Sequence, residues 1–148
     1  MGAYRERLLN PARRMEAAKA FVVYEISISH LYKNTERIAS VMETPAVLVP
    51  FAALEVHYML HGGFMRRGQL LDDVGQIKDH RIHIVHGRND TVCLPRAAAR
   101  LRTALEGAGA RDNVTRGYIE AAGHSDSEPP IARALRRAAD ALAKQASP

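Results

Sequence analysis

The pattern of apolar and polar positions divides the chain near residues 68–80. Before that point apolar residues recur at helical spacing; after it, short apolar runs alternate with helical stretches. Asn10-Pro11 is a helix start signal, with Asn as N-cap and Pro at the first helical position. Met15, Ala18, Phe21, Val22 and Ile26 then form one stripe, which predicts a helix to about Ser29. Thr44-Pro45 repeats the start signal. Val47, Leu48, Phe51, Leu54, Tyr58 and Met59 give the second predicted helix, Pro45 to about Leu60, a wide apolar face. Gly62-Gly63 should end it, because glycine accepts the left-handed conformation of a helix stop.

The second part reads differently. Residues 81–86 (Arg-Ile-His-Ile-Val-His) predict a strand ending at Gly87. Pro95 to about Glu106 predicts a helix, broken by Gly107-Ala108-Gly109. Residues 114–120 predict a second strand, although Gly117 weakens it. Ser127 is a candidate cap for a last helix from Pro129 to about Lys144, with Ile131, Leu135, Ala138 and Leu142 on one face. Strand, helix, strand, helix implies a right-handed parallel βαβ unit. A parallel sheet needs cover on both faces and neighbours on both sides, so two strands look like the edge of a larger sheet. Its exposed edge would invite self-association.

Composition narrows the class. At 47% hydrophobic and 25% charged, the 148 residues belong to a globular chain and not a disordered one. A single cysteine, Cys93, excludes an internal disulfide and fits a reducing cytoplasm. The N-terminus has basic residues but no apolar segment of a signal peptide. No apolar run approaches the roughly 18 residues of a membrane span, so no membrane association is expected. The net charge of +5 raises nucleic acid as a partner. The bases are spread over helix faces, however, and no finger, RNP or basic-zipper pattern accompanies them. A solvated face is the simpler reading, and nucleic-acid binding is kept only as a rival.

Candidate chemistry lies after the strands. Asp90 follows the first strand directly and His124 follows the second, where parallel α/β proteins place their sites. Taken singly, Asp90 could be a turn or capping residue and His124 a solvent-exposed one. Together they are an acid then a base across one βαβ connection, the closing half of the hydrolase order Ser…Asp…His. The opening half is not found: none of Ser27, Ser29, Ser40, Ser125, Ser127 and Ser147 sits in G-x-S-x-G. Cys93 is not in an elbow-like turn. His61-Gly62-Gly63 resembles an oxyanion loop but follows a helix, so it reads as a helix end. His83 and His86 should point to opposite faces of their strand, and no metal site or organic cofactor is expected. Glu25 and Glu55 each sit within an apolar helical stripe. A buried carboxylate needs a cation, which is either a local base such as Lys19 or Arg13, or a substrate ammonium.

At this point the chain resembles the C-terminal part of the prolyl iminopeptidases, α/β-hydrolase serine peptidases. The resemblance rests on 17–25 (AAKAFVVYE), 51–58 (FAALEVHY), Gly62-Gly63-Phe64, 84–90 (IVHGRND), 122–125 (AGHS) and Glu128-Pro129, in order and at similar spacing. It implies an α/β-hydrolase edge (βαβα) at 69–148, preceded by part of a helical cap at 1–68. It implies Asp90 and His124 as triad acid and base. It implies Glu25 and Glu55 as the glutamates that bind the substrate's N-terminal amino group, with Phe21, Tyr24 and Tyr58 as an aromatic wall. The substrate implied is a peptide with an N-terminal proline. The departures are Phe21 and Tyr24 where the family has tryptophans, Val56 where it has asparagine, and a longer stretch around Gly107–Asn113. Without the serine elbow, the 148 residues alone should be inactive. The rivals are a non-catalytic assembly protein pairing through its sheet edge, and a basic nucleic-acid-binding domain.

Overall fold

A computed structural model describes residues 1–110 and 113–146. They form two units, Met1–Ile28 with Tyr32–Arg67, and Ser29–Leu31 with the described residues from Gly68 onward. The stretch around Gly107–Asn113 lies partly outside the described residues.

The first unit is helical: α1 (Gly2–Leu9), α2 (Arg14–Ser29, whose last residue belongs to the second unit), α3 (Thr35–Met42) and α4 (Pro45–Leu60). Asn10 acts where the sequence placed a cap, its Oδ1 accepting from the Ala12 N–H at 2.9 Å. Residues 11–13 nevertheless form a turn, and α2 starts at Arg14. The short helices α1 and α3 were not anticipated. Asn34 caps α3, its Oδ1 accepting from the Arg37 N–H at 2.9 Å. Leu8, Ala17, Ala18, Phe21, Val22, Leu48, Ala52 and Val56 make the core.

α4 corrects the expected face. Its buried positions are Leu48, Ala52 and Val56, while Val47, Phe51, Leu54, Tyr58 and Met59 are exposed. The sequence of this helix is apolar on nearly every side, so periodicity could not choose among faces. Leu48, Ala52 and Val56 join Leu8, Ala17, Ala18, Phe21 and Val22 in one core, and that marks the buried face. α4 tolerates Pro50 in its interior and stops at Leu60. Gly62 and Gly63, at φ 58° and 65°, supply the left-handed turn that ends it.

The second unit contains α5 (Gln69–Asp72), β1 (Ile82–Gly87), α6 (Pro95–Gly107), β2 (Val114–Ile119) and α7 (Pro129–Ala146). It is mixed α/β. β1 and β2 pair in parallel, with Ile82 opposite Val114 and Gly87 opposite Ile119. Ile82, Ile84 and Val114 join Val74, Leu101, Leu105 and Ala110 in one core, so α6 covers that face. α7 starts with two prolines, which lack the N–H groups that a first turn leaves unused. Its buried residues are Ile131 and Ala134, whereas Leu135 is exposed. The stripe therefore runs one residue before the expected Leu135. No helix among the described residues is long and apolar enough to cross a membrane.

Candidate active site

Parallel pairing in register brings the ends of β1 and β2 side by side, and the loops that follow them meet. The Arg88 N–H donates to the Ile119 carbonyl and the Asn89 N–H to the Ala122 carbonyl, each at 2.9 Å. The approach is so close that it demands glycine. A Cβ on Gly87 would stand 1.9 Å from the Gly123 carbonyl oxygen.

Asp90 lies in the first of these loops and is 5% exposed. Its Oδ1 accepts from the Val92 and Cys93 N–H groups, both at 2.9 Å. Its Oδ2 lies 3.0 Å from His124 Nδ1. A carboxylate can only accept, so His124 Nδ1 carries the hydrogen in this pair. In the neutral ring, Nε2 then keeps its lone pair. The His124 side chain is 37% exposed. Together the two residues provide a held imidazole with a free basic nitrogen, which is what general-base chemistry requires.

A third member went unnoticed in the sequence. His86 ends the same strand face as Ile82 and Ile84. Its Nε2 is 2.7 Å from the Cys93 carbonyl and 3.3 Å from Asp90 Oδ2. The carbonyl fixes the hydrogen on Nε2, so His86 donates to the loop that holds the acid. Opposite it, Tyr118 donates its hydroxyl to the Pro95 carbonyl at 3.0 Å and pins the start of α6. Arg88 stacks on the Tyr118 ring at 4.3 Å, held by Glu120 at 2.9 Å. Cys93 is the free thiol of the loop; partial burial and then the Asp90 charge push its pKa up. Only pairing along the strands reveals His86, because in sequence it is one of seven scattered histidines. His83, on the other face, meets Thr115.

The His124 loop has its own supports. The Ser29 carbonyl accepts from the His124 and Ser125 N–H groups, at 2.9 and 2.8 Å. Glu128, 8% exposed, accepts from the Gly123 N–H at 2.7 Å. Ser127, expected as a helix cap, bonds Ser125 at 2.7 Å and His30 at 3.2 Å.

In the helical unit Glu25 and Glu55 are both half-buried. Tyr24 and Tyr58 are exposed. Phe21 is 2% exposed, with its ring edge-on to Tyr4 at 5.4 Å. Its place on the α2 core stripe takes it inward. An apolar groove of about 180 Å³ is lined by Val22, Ile26, Arg37, Val41, Val47, Leu48 and Phe51. Neither glutamate is among these lining residues. Among the described residues no cluster of three His, Cys, Asp or Glu side chains could hold a metal ion.

No family model matches the chain. Curated relatives do. The chain is 36% identical over 146 residues to the proline iminopeptidase of Xanthomonas citri, covering 97% of this chain and 44% of that protein. It is 38% identical over 145 residues to the proline iminopeptidase of Xylella fastidiosa (strain Temecula1), covering 96% and 44%. The Arabidopsis thaliana proline iminopeptidase is 31% identical over 136 residues, covering 90% and 34%. The chain therefore spans less than half the length of these relatives. Along nearly its whole length, it is a relative of the proline iminopeptidases.

Proposed function

We propose that this chain supplies the acid and base of a prolyl aminopeptidase of the α/β-hydrolase kind. The observation that carries the proposal is the 3.0 Å bond from the part-exposed His124, through Nδ1, to a buried, otherwise satisfied Asp90. In this reading a serine hydroxyl gives its proton to His124 Nε2 as its oxygen attacks the prolyl carbonyl. His124 then returns that proton to the leaving amine. Asp90 holds the useful tautomer and stabilises the imidazolium that forms. Glu25 and Glu55 are proposed to receive the secondary ammonium of an N-terminal proline, with Tyr24 and Tyr58 beside them. No metal or organic cofactor takes part.

The 148 residues contain no G-x-S-x-G. The proposal therefore assigns the nucleophile and oxyanion loop to sequence outside them, and the purified chain alone should not hydrolyse a fluorogenic prolyl amide. Turnover by this chain that is lost in His124→Ala would refute that assignment of the nucleophile. Turnover that persists in His124→Ala would refute the acid–base assignment as well. Neither the assembly reading nor the nucleic-acid reading is favoured by the relatives.

A further inference from the structure

Glu128 is one of two buried acidic residues among the described positions, and the mechanism above does not use it. Burying a carboxylate is costly unless hydrogen bonds replace its water. Here both oxygens are used. Oε1 accepts from the Gly123 N–H at 2.7 Å and Oε2 from the Leu31 N–H at 3.4 Å. Gly123 immediately precedes His124. Leu31 lies two residues past Ser29, whose carbonyl accepts from the N–H groups of His124 and Ser125. The result is a closed loop of bonds. Glu128 holds Gly123 and Leu31, and the Ser29–Leu31 segment holds His124 and Ser125. A Cβ on Gly123 would stand 2.9 Å from both Glu128 Oε1 and the Leu31 nitrogen, so glycine is required for the carboxylate to reach in.

We propose that Glu128 is a positioning residue for His124, fixing the backbone of its loop so that Nδ1 meets Asp90. The role matters catalytically only if Asp90 and His124 are the acid and base, but its test does not depend on activity. A purely structural role, stabilising the start of α7, would leave the His124 ring as it is. Positioning would not.

The test is imidazole ¹⁵N NMR of the 148-residue chain at a pH where His124 is neutral. The Nδ1–H tautomer should dominate in the parent. In Glu128→Ala its ratio to the Nε2–H tautomer should fall about five-fold, the weight of one net hydrogen bond. Glu128→Gln, which keeps an acceptor for Gly123, should stay within about two-fold of the parent. A folded Glu128→Ala with an unchanged tautomer ratio overturns the proposal. If that variant does not fold, the parent decides. A coupling across the hydrogen bond from the Gly123 nitrogen to the Glu128 carboxyl carbon is expected, and its absence overturns the proposal. Asp90→Asn separates the two readings. It should reverse the tautomer whatever Glu128 does, and if it does not, the acid–base pairing fails while the Gly123–Glu128 bond stands or falls by its own coupling.

Discussion

At the scale of residues, Asp90 is held more tightly than its partner. Two backbone N–H groups fix one oxygen, and two histidines approach the other. His124 is freer, its side chain 37% exposed against 4% for Asp90. The pair was legible in the sequence because chain order and strand ends alone suggest it. His86 and Glu128 were not. Their roles depend on backbone carbonyls and N–H groups of other segments, which no local pattern marks. Two consequences belong here. Gly87→Ala places a methyl group against the Gly123 carbonyl, in a backbone that cannot yield cheaply. It should destabilise the chain by about 1–3 kcal/mol, read as a lowered denaturant midpoint. A midpoint equal to the parent's would deny the close approach of the two loops. Cys93, its pKa raised by partial burial and by Asp90, should hold less thiolate at neutral pH than an ordinary exposed cysteine. Alkylation by iodoacetamide should therefore be slow near pH 7 and accelerate only above the usual thiol range. Removing the charge in Asp90→Asn should speed it, and an unchanged rate would contradict the electrostatic part of the cause.

The elements divide by length and context. Both strands and the helices α4, α6 and α7 were readable to within about two residues, because proline starts, glycine stops and β-branched runs bound them. α1 and α3, each of eight residues, carry too little periodicity to stand out. Helix faces were the harder matter. In α4 the sequence is apolar all round, and the buried side is chosen by Ala52 and Val56 packing with α2 residues in one core. In α7 alanine at 134 takes the inward place that Leu135 was expected to hold. The two faces of the helical unit should separate in denaturation experiments. Phe21→Ala should cost about 3–5 kcal/mol, as a buried ring packed on Tyr4. Tyr58→Ala, on the exposed side of α4, should stay within about 0.5 kcal/mol of the parent. Equal losses would mean that the core has been assigned to the wrong side of the helix.

For the molecule as a whole, each described strand has one hydrogen-bonded neighbour, in a parallel sheet that ordinarily has several. The outer edges are proposed as a route to self-association. Light scattering of the purified chain should show mass rising with concentration, and a monodisperse monomer with cooperative unfolding would contradict that. The matched length, 44% of the bacterial relatives, also defines the most direct test of the central claim. The matched stretch of the Xanthomonas citri proline iminopeptidase is replaced by this chain, and hydrolysis of a prolyl amide is followed. An active chimera is expected. Within it, Asp90→Asn and His124→Ala should each lower kcat by at least about 10³-fold, as when a triad member is lost. His83→Ala, on the opposite strand face, should leave kcat within about two-fold. An active chimera indifferent to His124→Ala would contradict the assignment of acid and base.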